Sequence, residues 1–152
     1  DKFDEALATA LENDTEAIIE QFVDGREFGS GVYMRKGEVI ALPITEIISK
    51  NDFFDYQAKY EGASTEITPA ELEDATTQLI QETSRKVFKR LKLKGMSRTD
   101  YIVEKGVPYL IEVNTIPGLS EESILPQQVV ASGMTLTEFF GLLLEEASCS
   151  VS

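Results

Sequence analysis

The 152-residue chain contains no histidine. That removes imidazole acid–base catalysis, histidine-based nucleophilic triads and histidine zinc sites together. Its single cysteine, Cys149, has no partner for an internal disulfide, so a reducing compartment, the cytoplasm, is the expected setting. Any metal must then be held mainly by oxygen donors, which favours magnesium, calcium or manganese. Positive charge is scarce: 14 Lys and Arg stand against 27 Asp and Glu, a net charge of -13. A nucleic-acid backbone or an anionic membrane would meet like charge, so neither is expected as a partner. No apolar run approaches a membrane span. The acidic, amphipathic first residues do not read as a signal peptide. Internal repeats, low-complexity stretches and Gly/Ser linkers are also missing. What is there is an ordinary globular composition, 42% hydrophobic and 27% charged, at a length that supports one domain with its own core.

Phe3, Ala6, Leu7, Ala10 and Leu11 fall at helical spacing, and Asn13-Asp14 ends that helix. Residues 17–23 read as a strand and Asp24-Gly25 as a turn. Residues 27–34 and 38–44 read as two strands of a hairpin about Arg35-Lys36-Gly37. Residues 49–65 read as a long ordered loop, of a length that is usually either functional or disordered. Thr68-Pro69 is expected to open a long helix, with Thr68 as N-cap, Pro69 at the first position and Glu71 adding charge near the start. Its expected buried stripe is Leu72, Ala75, Leu79, Thr83, Val87 and Leu91. Lys86, Lys89 and Arg90 then form a solvated, cation-rich end. Residues 96–103 and 108–113 read as a second hairpin, followed by a turn-rich loop over 114–125. Pro126 is expected to start a short helix ended by Ser132-Gly133. Thr135 or Thr137 caps a last helix through Leu144, and residues 148–152 form a disordered tail beyond a domain of 1–147.

The second hairpin carries the chemistry. Side chains alternate along a strand, so Arg98 and Asp100 share one face and Glu112 and Asn114 share one face. A three-residue loop, Lys105-Gly106-Val107, sets Asp100 opposite Glu112 and Arg98 opposite Asn114. Like charges directly opposite destabilise a sheet. A divalent cation between them reverses that sign, and two carboxylates with an amide oxygen suit magnesium. Arg98 adds a planar cation matched to phosphate or carboxylate. A solvent-facing polar strand face accounts for the same alternation equally well. The loop Thr115-Ile116-Pro117-Gly118-Leu119-Ser120 favours a site, because Pro117-Gly118 makes a tight turn whose backbone N–H groups can face an anion.

Glu112-Val113-Asn114-Thr115-Ile116-Pro117-Gly118-Leu119-Ser120, with Ser123 after it, resembles the E-V-N-T-x-P-G-[ML]-[TS] signature of D-alanine–D-alanine ligases. Gly25-Arg26-Glu27-Phe28 resembles the family's G-R-E-F strand start. Asp55-Tyr56-Gln57-Ala58-Lys59-Tyr60 resembles its D-Y-[EQ]-A-K-Y lid loop. Ser97-Arg98-Thr99-Asp100 resembles A-R-V-D, with Ser for the small residue and Thr for Val. The matches run in order across nearly the whole chain.

The resemblance implies an α+β fold, the carboxy-terminal subdomain of an ATP-grasp enzyme, with helices on a mainly antiparallel sheet. It implies ATP and two magnesium ions, with manganese as a substitute, ligated by Asp100, Glu112 and Asn114. Arg98 and the backbone N–H of Gly118 would stabilise charge on the transferring phosphoryl group and the tetrahedral intermediate. Ser123 and Ile124 would hold the carboxylate of the second substrate. Glu20 and Glu27 would bind the adenine amino group and the ribose, Phe22 and Val23 would lie along the purine edge, and Lys59 and Tyr60 would serve the lid. Each has a plainer alternative: Glu20 an edge charge, Glu27 an ion-pair member, Phe22 a core residue, Tyr56 and Tyr60 loop anchors. The implied reaction joins two D-alanines for peptidoglycan synthesis, in a homodimer when complete. The family's amino-terminal and central domains precede this region, so the chain by itself is expected to be inactive. D-alanyl-D-lactate or D-alanyl-D-serine ligases, other ATP-grasp carboxylate–amine ligases and a non-catalytic nucleotide-binding module compete with this reading. Tyr60 argues against the lactate type, the N-T-x-P-G run against other ligases, and the intact Arg98, Asp100, Glu112 and Asn114 against a decayed module.

Overall fold

The computed structural model describes residues 2–49 and 64–149. Six strands form one sheet: β1 (Arg26–Arg35), β2 (Glu38–Ala41), β3 (Thr45–Ser49), β4 (Ser64–Ile67), β5 (Met96–Glu104) and β6 (Val107–Asn114). Their order is β4-β3-β1-β5-β6, with β2 also on β1, and every pairing is antiparallel. The helices are α1 (Phe3–Asn13), α2 (Asp74–Arg90), α3 (Ile124–Ala131) and α4 (Leu136–Cys149). The α+β expectation is met.

β1 is central, and residues 28–33 along it are all buried. That follows from helices on both faces of the sheet. Phe28 and Val32 point one way, into clusters with Ile80 and Phe88 of α2 and with Tyr101 and Val103. Tyr33 points the other way, among Leu125, Val129 and Phe139 of α3 and α4. Its ring meets Phe139 edge-on at 5.3 Å between centroids. Burying each such side chain is worth about 1.5–3 kcal/mol. The first hairpin turns at Lys36 and Gly37, both at positive φ (51° and 77°), which matches the twist of the flanking strands.

Several expectations are corrected. Residues 17–23 form no strand; they run irregularly into β1, with Ile18, Ile19 and Phe22 exposed. A strand needs a neighbour for its backbone groups, and no described strand lies beside this segment. The expected strand over 38–44 ends at Ala41, and two further short strands, β3 and β4, flank the stretch expected as a long loop, of which residues 50–63 lie outside the described residues. The long helix begins at Asp74, with Glu73 as N-cap. Thr68 and Ala70 are tied to the sheet instead: Thr68 Oγ1 lies 2.6 Å from Thr45 Oγ1, and Ala70 N–H donates to the Ile44 carbonyl. The buried stripe of α2 is Thr76, Ile80, Ser84 and Phe88, one position on from the expected one, because Ile80 and Phe88 reach the sheet. Leu79 and Leu91 face solvent. α3 starts two residues before Pro126. α4 runs to Cys149, so Ser148 is helical and donates to the Leu144 carbonyl rather than lying in a loose tail.

Candidate active site

The β5–β6 hairpin turns through two residues, Lys105 and Gly106, at φ 51° and 81°. The three-residue loop is corrected to this tighter turn, yet the expected pairing holds. Glu104 pairs with Val107 and Tyr101 with Leu110, and an irregularity between Asp100 and Tyr101 then shifts the register. Beyond it Asp100 faces Glu112 and Arg98 faces Asn114. The bulge re-aims side chains at the point where the charged residues begin.

Arg98 and Asp100 lie on the same face of β5. Arg98 Nε donates to Asp100 Oδ1 and a terminal nitrogen donates to Oδ2, both at 2.8 Å. The pair is nearly sealed from solvent, with side chains 14% and 6% exposed. Burial pushes the Asp100 carboxyl above its ordinary range; Arg98 pulls it back, and Glu112 across the strand adds to the upward push. The Arg98 guanidinium is held more firmly protonated by Asp100, Glu112 and Glu66, against its own burial.

Gly29 pairs with Asp100 and Gly31 with Arg98. A Cβ on Gly29 would touch Arg98 Cδ and Asp100 Oδ1, each at 3.4 Å. Gly29 therefore leaves the space against which this pair rests, while Gly31 leaves space for Gln128 and Leu125. Glu27, two residues before Gly29 on β1, shares that face.

The loop after β6 folds back towards α3. Ile116 N–H donates to Asn114 Oδ1 at 3.1 Å, which orients the amide oxygen. Ser123 N–H donates to the Ser120 carbonyl, and the two serine hydroxyls lie 2.9 Å apart. Gly118 sits so close that a Cβ there would stand 2.7 Å from Ser123 Oγ. Ser123 is the N-cap residue of α3 but makes no side-chain cap bond, so its hydroxyl leaves the helix N–H groups uncapped. An uncapped helix start suits an anion.

The fold thus brings Arg98, Asp100, Glu112, Asn114 and Glu27 to one sheet face, and Gly118 and Ser123 into contact. Glu20 and Phe22 lie exposed in the segment leading into β1, with Val23 half-buried there; Phe22, 76% exposed, is not core. Lys59 and Tyr60, with Tyr56, lie outside the described residues. A cavity of about 670 Å³ lined by Arg26, Phe28, Thr76 and Val103 lies on the α2 side of the sheet, away from the charged face. Sequence reasoning missed Gly29 and Gly31, whose glycine-rich strand could have signalled close approach. It also missed Glu66, Gln127 and Gln128, which carry no periodic signal.

Donor chemistry decides whether a divalent cation fits. Asp100, Glu112 and Asn114 offer only hard oxygens, and each side-chain oxygen has more than one lone pair. Among the described residues no group of three or more His, Cys, Asp or Glu forms a metal cage. Two carboxylates and an amide match magnesium shared with phosphate oxygens and water, which needs no all-protein cage.

Comparison with known proteins narrows the site's meaning. The family described as D-ala D-ala ligase C-terminus matches residues 1–145. The chain belongs to this family. A D-alanine–D-alanine ligase of Flavobacterium johnsoniae is 51% identical over 140 residues, 92% of this chain and 43% of that protein. The crystal structure of a Bacillus anthracis D-alanine–D-alanine ligase superposes with TM-score 0.82 at 32% identity, over 99% of this chain and 49% of that one. The Bacillus anthracis ligase complexed with ATP gives 0.78 at 26%, over 98% and 47%. The VanG D-Ala:D-Ser ligase of Enterococcus faecalis gives 0.83 at 32%, over 95% and 42%. The ATP-grasp fold expected from the sequence is confirmed. The chain spans less than half the length of these relatives. No described helix is long and apolar enough to cross a membrane.

Proposed function

We propose that this chain is the carboxy-terminal part of an ATP-dependent, ADP-forming D-alanine–D-alanine ligase that supplies cytoplasmic peptidoglycan synthesis. The observation that carries the reading is the register of Arg98 and Asp100 against Asn114 and Glu112, beside a loop that joins Gly118 to Ser123.

In the proposed reaction the terminal phosphoryl group of ATP passes to the carboxylate of one D-alanine, giving an acyl phosphate and ADP. The amine of a second D-alanine attacks the acyl carbon and loses a proton, and phosphate leaves. Two magnesium ions, or manganese, held by Asp100, Glu112 and Asn114, would neutralise the phosphate oxygens. Arg98, already fixed by Asp100, keeps donors in its guanidinium beyond the two that Asp100 uses. It can meet the developing negative charge without reorganising. The backbone N–H of Gly118 serves the same oxyanion. Ser123 and the start of α3 receive the carboxylate of the second amino acid. Glu27 binds the ribose, Glu20, Phe22 and Val23 the adenine, and Lys59 and Tyr60 close over the phosphates. The chemistry is positioning and charge neutralisation, without an enzyme nucleophile. The remaining domains, present in the longer relatives, complete the D-alanine and phosphate sites, so the chain alone does not turn over.

The test is magnesium-dependent ADP release by the complete protein, with D-alanine, D-serine or D-lactate as acceptor and products identified by mass. Dipeptide from D-alanine, lost in Arg98→Ala, supports the reading. ADP release that ignores D-alanine or survives Arg98→Ala sinks it. The VanG superposition, as good as that of the D-alanine enzyme, favours D-serine as the second reading, and the product mass separates the two.

A further inference from the structure

Two consecutive glutamines pin the start of α3 to the sheet. The Gln128 amide is fully buried and donates to the Gly29 carbonyl at 2.8 Å and to Thr45 Oγ1 at 3.1 Å. The Gln127 amide donates to Glu66 Oε2 and to the Glu122 carbonyl, both at 2.7 Å. A primary amide has two N–H bonds, and Gln127 spends both. One reaches β4 and the other the residue just before Ser123. Ser123 in turn meets Ser120 and Gly118. An unbroken run of contacts therefore joins Glu66 to Gly118.

The helix cannot hold this geometry by itself. α3 has eight residues, too few for a helix stable without tertiary ties. The loop before it is exposed at Thr115, Ile116 and residues 118–122, so it has little packing of its own. Apolar burial of Ile124 and Leu125 fixes the helix against the core but is non-directional. The short bond from Gln127 to an ionised carboxylate is directional and strong.

We infer that Gln127, locked by Glu66, is a positioning residue that sets Ser123 and the first turn of α3 for the carboxylate of the incoming amino acid. This rests on the ligase reading above. Neither residue needs to touch substrate; Glu66 acts through Gln127, and Gln127 through the Glu122–Ser123 backbone.

The experiment is steady-state kinetics of the complete ligase and of E66A, E66Q, Q127L and the double variant E66A/Q127L. Thermal unfolding is recorded for each. Loss of the bond raises KM for the acceptor amino acid roughly tenfold in E66A and Q127L, the scale of one hydrogen bond to a charged group. In Q127L, which leaves the Glu66 charge near Arg98 in place, kcat and KM for ATP stay near wild type. The double variant is no worse than either single one, because both remove the same interaction. E66Q, whose amide oxygen still accepts from Gln127, keeps most of the wild-type KM. Acceptor KM unchanged in E66A and Q127L, or kcat and every KM shifting together with the melting temperature, overturns the inference. E66Q as impaired as E66A also overturns it, since the charge and not the bond would then matter. A wild-type ligase with no acceptor-dependent turnover removes the functional reading itself, and the inference with it.

Discussion

Arg98 holds Asp100 from two residues away on the same strand, with two parallel hydrogen bonds of 2.8 Å and both side chains largely buried. Removing one partner strands the other charge. Arg98→Met should therefore destabilise the fold by about 3–5 kcal/mol, the cost of an uncompensated buried charge. The double variant Arg98→Met/Asp100→Leu should recover much of that loss, because the orphaned carboxylate is gone. Urea unfolding of the three proteins checks this. Recovery of stability without recovery of ligation would separate the pair's structural and chemical roles; no recovery would show that the carboxylate is not the source of the penalty.

Gly31 is a packing requirement set by Gln128. A methyl group there would collide with the Gln128 amide oxygen, inside a fully buried contact. Gly31→Ala should cost about 1–3 kcal/mol, typical of overpacking. Gln128→Ala costs stability by itself, since it frees the Gly29 carbonyl and Thr45 hydroxyl. Combined, the two changes should be less damaging than their sum, and a double-mutant cycle on unfolding free energies measures the difference. Strict additivity would place the strain elsewhere.

The charged face was legible because alternation and a glycine turn leave few registers. The pairing of Asp100 with Glu112 was read correctly through a compensating error: one residue assigned to the turn is in fact spent in the bulge at Asp100/Tyr101. Bulges leave no local signal that alternation can show. The stripe of α2 was misread because Leu79 and Leu91 look like core at helical spacing, while Thr76 and Ser84 do not. Hydroxyls occupy that buried face because Ser84 bonds Tyr101 and the Ile80 carbonyl. Residues 17–23 have strand composition without a described partner strand, and composition alone does not supply one. Gln127 and Gln128 stayed silent, since a polar residue predicts exposure until its partners in β1, β3 and β4 are known.

The α2 side of β1 and β5 carries buried hydroxyls without a hydrogen-bond partner among the described residues. Ser30, Ser97 and Thr99 are fully buried, and their side-chain oxygens make no hydrogen bond to a described residue. An unmet hydroxyl carries its full desolvation cost, whereas an apolar group of the same shape does not. Thr99→Val, nearly isosteric, should leave stability unchanged or raise it, and Ser97→Ala should cost little. Tyr101→Phe, by contrast, breaks a made bond of 2.9 Å to Ser84 and should cost about 1 kcal/mol. Melting temperatures of the three variants test the contrast. A marked loss in Thr99→Val would reveal a bound water or partner that the hydroxyl serves.

Helix α4 begins with a reciprocal cap. Thr135 N–H and its hydroxyl donate to Glu138 Oε2 at 2.8 and 2.7 Å, and Glu138 N–H donates to Thr135 Oγ1 at 3.2 Å. The hydrogen bonds from Thr135 hold the Glu138 carboxyl below its ordinary value of 4.5. A carboxylate depressed in the folded state binds its proton later than in the unfolded chain. Its stabilising contribution is therefore complete above the unfolded value and fades as pH falls through the lower folded one. Because Glu138 is exposed, the effect is screened by salt and small. Comparing wild type with Glu138→Gln, the difference in melting temperature should be constant from neutral pH down to about pH 5 and shrink below about pH 4. A difference that grew on acidification would mean that the proton, not the carboxylate, stabilises this cap. A pH-independent difference would mean that the protonated and the ionised Glu138 carboxyl cap alike, leaving the fall in stability on acidification to the other carboxylates.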